Sequence, residues 1–244
     1  MNGTNQGVPG RLAVVGGHAI AGAEGELADD AKRIEVETPF GPATALVHDR
    51  WVLLQRHGLD HYRAAFAIEH RANLAALREL GCDRVLSICS VGGLSRALEV
   101  GTLVCPDDFI ALHLGASFDH GLGGERVPGF DPDWRQRVVE AWRDACEPEL
   151  GDGGTYWQAI GPRFETPAEI RLIAAHAEVI GMTMAAECIL AGELGLAYAA
   201  ICSVDNLANG VGDEPLSVAE FEHGKKTNRA TLVAALQALV PALL

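Results

Sequence analysis

None of the six cysteines, Cys82, Cys89, Cys105, Cys146, Cys188 and Cys202, stands in a C-x-x-C pair, and most lie in apolar runs such as "AAICSV". That usage argues against a zinc site or a disulfide framework and for reduced, buried thiols in a cytoplasmic protein. Basic residues are scarce: 19 Lys and Arg stand against 33 Asp and Glu, a formal net charge of −14. Such a surface repels a polyanion, so nucleic acid is not expected as a partner, although a small anion in a locally basic pocket stays compatible. No apolar stretch reaches the ~18 residues of a membrane span, and "MNGTNQGVPGR" lacks the apolar centre of a signal peptide. No internal repeat, low-complexity segment or linker interrupts the chain. Asp60, Asp119 and Asp131 do not cluster at ligand spacing, so no metal is expected.

What is present is an alternation of short β-rich and longer helical runs over 244 residues, 48% of them hydrophobic. Composition and rhythm predict one α/β domain over 1–244. Strands are predicted at 11–17, 34–37, 43–47, 51–55, 83–89, 102–112, 155–160, 178–182 and 197–204. Helices are predicted at 68–81, 133–146, 184–194 and 217–239, with another opening near Pro167, a favourable first-turn position. "SVGG" (90–93) reads as a turn, and glycine-rich 113–130 as a long loop of the kind that covers sites.

In open α/β folds, sites form where strands end. The predicted strand ends carry Gly16-Gly17-His18, Arg56-His57 with His61, Ser90-Val91-Gly92-Gly93, the stretch "GPRFETPAE", Met182-Thr183, and Asp205-Asn206. Glycine turns, one arginine, hydroxyls and imidazoles suit a phosphate dianion. A ring beside a carboxylate at Phe164-Glu165, with an amide at Asn206, suits a flat heterocycle with polar edges. Each feature has a plainer reading in isolation: a tight turn, a surface histidine, core packing, or a helix cap at Glu165. Their joint order is what carries weight.

That order resembles the purine nucleoside phosphorylase family, in its trimeric branch with the methylthioadenosine and methylthioinosine phosphorylases. The pieces that carry the resemblance are "RHGLDH", "EHRANLAAL", "CSVGGL", "GPRFETPAEI", "GMTMAAECILAGELGLAYAAI" and "SVDNLANG". It implies a phosphate site of His18, Arg56, His57, Ser90 (through its backbone) and Thr183, with orthophosphate as co-substrate. His18 departs from the serine or threonine usual there. Phe164 would lie against the purine, Glu165 and Asn206 would read its edge as the catalytic pair, and Met182 would pack under the ribose. Asp205 exchanges roles with Asn206 under a one-residue shift. His61 and Val218 match residues of the methylthio-nucleoside enzymes near the 5′ substituent, and Arg126 stands where relatives commonly have histidine.

An ionised Glu165 accepts from N1–H of a 6-oxopurine, whereas adenine offers a bare N1. The resemblance therefore implies phosphorolysis of S-methyl-5′-thioinosine first, inosine or guanosine second. Methylthioadenosine, another 5′-modified nucleoside, hydrolysis by water, and binding without turnover stand as alternatives. It also implies a central mixed, partly closed sheet flanked by helices, no cofactor beyond the orthophosphate co-substrate, and a homotrimer in which the 113–130 loop reaches a neighbour's 5′ pocket.

Overall fold

The structure is a computed structural model that describes residues 10–118, 126–213 and 216–244, apart from the Glu220 side chain. The polar N-terminal stretch, Asp119 and the centre of the 113–130 loop lie outside the described residues.

Eleven strands form one mixed sheet among those residues. They are β1 (Arg11–Gly16), β2 (Lys32–Val36), β3 (Ala43–Val47), β4 (Trp51–Gln55), β5 (Cys82–Gly93), β6 (Leu103–Cys105), β7 (Asp108–Ile110), β8 (Leu150–Asp152), β9 (Thr155–Gln158), β10 (Val179–Gly181) and β11 (Ala197–Leu207). The α-helices are α1 (Glu24–Leu27), α2 (His70–Glu79), α3 (Pro132–Ala145), α4 (Pro167–Ile173), α5 (Met184–Glu193) and α6 (Val218–Leu243).

β5 is the hub: β1 and β11 run parallel to it, and β10 pairs antiparallel. One arm leaves through β11 to β6 and β8, the other through β10 to β9 and β7. β6 runs on into β7 past Pro106, and β8 into β9 past Gly153-Gly154, so the arms meet and the sheet closes on itself. The partly closed mixed sheet is as the resemblance implied. β2, β3 and β4 extend it as an open wing. Leu74 and Leu77 of α2 and Met184, Cys188 and Leu190 of α5 fill one side of the core. Trp134, Val138 and Trp142 of α3 pack with Leu232, Leu236, Leu239 and Leu243 of α6 on the other. Each such buried side chain contributes about 1.5–3 kcal/mol of transfer free energy.

Three expectations are corrected. The run 102–112 is two strands, because Pro106 has no N–H to donate to a ladder. "SVGG" is not a turn but the end of β5. Its glycines serve close approach: a Cβ on Gly93 would lie 3.0 Å from the Leu98 carbonyl, and one on Gly92 3.2 Å from Ile180 and 3.3 Å from Asn206. Asp205 and Asn206 lie within β11, not after it, and the register with β5 slips there: Val204 faces Val91 and Asn206 faces Gly92. Asp205 is thus the extra residue of a bulge, a device that re-aims neighbouring side chains.

One edge of β5 is shared. β1 follows it only as far as Ser87, and β10 joins only at Gly92. Between them, 88–91 has no strand partner on that side among the described residues.

Candidate active site

A cavity of about 220 Å³ opens at this gap. Nine of the twelve sequence-predicted site residues line it: His18, Arg56, His57, Ser90, Phe164, Glu165, Met182, Thr183 and Asn206. They come from segments spread over nearly the whole chain, so the closed sheet is what brings them together.

Arg56, just past β4, fills the gap. Its Nε donates to Glu187 Oε1 at 2.6 Å and its Nη2 to Oε2 at 3.2 Å and to Ser87 Oγ at 2.7 Å; Nη1 donates to the Ile88 carbonyl at 2.8 Å. One Nη1 N–H is left over. Burial works against the charge of both partners, yet their mutual attraction prevails, raising the Arg56 pKa and lowering that of Glu187. Gly17 has no side chain because Nη1 occupies the space where its Cβ would lie.

His57 Nδ1 lies 2.7 Å from the Arg63 carbonyl, which can only accept, so that nitrogen carries the proton. Burial and then the Arg56 charge hold its pKa down to about 3. His18 stacks on His57 with ring centroids 4.5 Å apart, and Tyr62 stacks on both at 5.0 Å. Burial, followed by Lys225, lowers His18 to about 4. Both rings are neutral at pH 7.

Thr183 is the N-cap of α5, but its side chain makes no cap bond. The first N–H groups of that helix are engaged elsewhere: Thr183 N donates to the Tyr156 hydroxyl at 3.2 Å and Ala185 N to Gln158 Oε1 at 3.1 Å.

The stretch 161–169 builds the other wall. Gly161 has φ +68°, and a Cβ there would lie 2.8 Å from Met182 Sδ, so only glycine fits. The α4 cap is a reciprocal pair between Thr166 and Glu169, and Arg163 holds Glu169 with two bonds of 2.8 Å. Glu165 therefore does not cap the helix and is left to face the cavity, where burial raises its pKa. Asn209 Nδ2 ties the Glu165 carbonyl at 2.9 Å. Asn206 donates one amide N–H to the Leu207 carbonyl at 2.9 Å and keeps a second.

Three expected residues lie off the wall. Asp205 sits behind Ser90, whose hydroxyl donates to its carboxylate; Ser203 Oγ and Asn228 Nδ2 also donate to it, each at 2.8 Å. His61 gives way to its neighbour Tyr62, whose ring completes the stack. Val218, 67% exposed at the first turn of α6, points away, while Phe221 and Leu216 face inward. Arg126 donates to the Gly192 carbonyl at the end of α5 and is not part of the wall.

Together these features define one cavity with Phe164, Glu165 and Asn206 on one part of its wall and the buried Arg56 with His57 and Thr183 on another. The model of the phosphorylase superfamily matches residues 12–241, and the chain belongs to that family. It is an enzyme of the pentosyltransferase class. A probable 6-oxopurine nucleoside phosphorylase of Archaeoglobus fulgidus is 34% identical over 221 residues, 89% of this chain and 90% of the relative. A probable S-methyl-5′-thioinosine phosphorylase of Xylella fastidiosa is 38% identical over 216 residues, 83% and 90%. The S-methyl-5′-thioadenosine phosphorylase of Mycolicibacterium smegmatis is 36% identical over 245 residues, 93% and 91%. The methylthioadenosine phosphorylase of Schistosoma mansoni, solved with adenine, shares the fold at a TM-score of 0.81 and 24% identity, over 95% of this chain and 91% of that one.

Proposed function

We propose that this enzyme cleaves the N-glycosidic bond of a 6-oxopurine nucleoside with orthophosphate, releasing the base and a ribose 1-phosphate. The observation that carries the reading is that Phe164, Glu165 and Asn206 share one cavity with Arg56, His57 and Thr183. A purine lying on Phe164 places N1–H toward the Glu165 carboxylate and N7 toward the remaining Asn206 N–H. That amide stabilises negative charge on the departing base. Phosphate held by the Arg56 Nη1 N–H and the Thr183 hydroxyl attacks C1′ from beneath as positive charge develops on the sugar. Met182 packs below the ribose.

S-methyl-5′-thioinosine is the preferred nucleoside. Leu216, Phe221, Tyr62 and the His18 face give that end of the cavity apolar and aromatic walls, which suit a thioether better than a free hydroxyl. Inosine and guanosine follow. A homotrimer is also proposed; exposed Leu112, Ile160 and Leu172 are surface that a subunit boundary would cover.

The test is base release from methylthioinosine, inosine, guanosine, adenosine and methylthioadenosine, with and without phosphate. Release that persists in phosphate-free buffer overturns phosphorolysis, and a preference for the 6-amino bases overturns the roles given to Glu165 and Asn206. Light scattering of the eluting protein reads the oligomer.

A further inference from the structure

Glu165 and Asn206 stand on different segments of the chain, one just ahead of α4 and the other near the end of β11. To read two edges of one flat ring they must be held a fixed distance apart. The turn after β11 is what lies between them. Ala208 N donates to the Gly93 carbonyl at 2.8 Å, and Val211 N donates back to the Ala208 carbonyl at 3.0 Å, so 208–211 is a four-residue turn. Gly210 takes its third position with φ +86°, a value glycine adopts without cost, and a Cβ there would lie 2.9 Å from the Cβ of Pro167. Ala208 and Val211 pack with Ile170 and Ile173 of α4. Apolar packing seats the turn on the helix but has no direction of its own.

The direction comes from Asn209, the second residue of the turn, which lines the cavity. Its Nδ2 donates to the Glu165 carbonyl at 2.9 Å. A carbonyl can only accept, which settles the orientation of the amide. Among the described residues this is the single hydrogen bond between 161–169 and 206–213.

We propose that Asn209 is a positioning residue for base selection. By tying the Glu165 backbone to the turn that follows Asn206, it holds the carboxylate and the amide at the spacing of one purine. The role rests on the proposed reading of Glu165 and Asn206 as the groups that meet the base. A carboxylate held in place accepts N1–H of a 6-oxopurine and opposes the bare N1 of a 6-amino one. A carboxylate free to swing meets the first less often and turns away from the second at little cost. Loss of the tether therefore harms 6-oxopurine nucleosides selectively. An asparagine that served only its own turn would show no such selectivity.

The experiment is steady-state phosphorolysis of methylthioinosine and methylthioadenosine by wild type, Asn209→Ala and Asn209→Asp, with phosphate varied in a second series. In Asn209→Ala the ratio of kcat/KM for the 6-oxo to the 6-amino nucleoside should fall roughly 5-fold, the effect of one hydrogen bond, while the KM for phosphate stays unchanged. Asn209→Asp keeps the shape and suits the turn, but it sets lone pairs against the Glu165 carbonyl, so its ratio should fall at least as far. Equal losses on both nucleosides overturn the positioning role and leave phosphorolysis standing. So does an aspartate variant as selective as the wild type, since the turn alone would then hold Glu165. A wild type without preference for the 6-oxo base overturns instead the roles of Glu165 and Asn206 on which the tether depends.

Discussion

Arg56 Nε lies 2.6 Å from Glu187 Oε1, and neither side chain is more than 2% exposed. The pair joins the loop after β4 to the first turns of α5, two segments 131 positions apart. Burying two charges costs more than their attraction easily returns, so the pair serves position more than stability. It fixes the guanidinium so that a single N–H meets the cavity.

Removing one partner exposes that cost. Glu187→Ala should destabilise the fold by about 3–5 kcal/mol, and Glu187→Gln by less, because the amide still accepts one bond. Urea denaturation at pH 7 measures it. In the glutamine variant the KM for phosphate should rise more than the KM for nucleoside; equal changes in both would contradict a positioning role.

Asn206→Asp should shift the ratio of inosine to adenosine turnover toward adenosine. Loss of the N7 donor should lower kcat on 6-oxopurines roughly 10²-fold. An unchanged ratio counts against Asn206 as the reader of the base edge.

The paired imidazoles set an acid limit. Unfolded, each titrates near 6.5; folded, His57 does so at about 3 and His18 at about 4. The fold thus favours the neutral rings, and their contribution is complete above pH 6.5 and lost as the pH falls from there toward 4 for His18 and toward 3 for His57. The slope reaches about 1.4 kcal/mol per pH unit for each ring. Glu165 and Asp205 are shifted upward and act in the opposite sense, so the comparison should be between wild type and His57→Gln at pH 7, 6 and 5. The variant should show the flatter profile in urea midpoints.

Phe221 lies 5.8 Å edge-on from His18 and 6.1 Å from Phe164, closing the apolar end. On the proposed reading Phe221→Ala should raise the KM for methylthioinosine roughly 10-fold and that for inosine less, since inosine has no thioether to lose the apolar contact. Steady-state kinetics on both nucleosides decide it.

Most strands and helices were legible because β-rich runs and helical spacing are local signals, whereas the closing of the sheet came only with the family resemblance. The failures were local. "SVGG" looks like a turn, but its glycines answer to Leu98, Ile180 and Asn206 across the sheet, contacts no local pattern reveals. The choice between Asp205 and Asn206 was open in sequence because the bulge places both in the space of one register step. Tyr62 and Phe221 were passed over for His61 and Val218 since a loop or a first helical turn does not announce which neighbour faces inward. Glu187 carried a signal of its own: a lone acid inside the apolar run "MTMAAECIL". Its partner, far away in the chain, could come only from the fold.

The interrupted edge of β5 has one more consequence. Bare backbone between two strands invites a third to add itself, or the two to slide together and seal the slot. The bond from Arg56 to the Ile88 carbonyl caps that edge with a side chain. The guanidinium thus acts as a wedge that keeps the mouth of the barrel from zipping shut, and a smaller residue there would lose the opening as well as the charge.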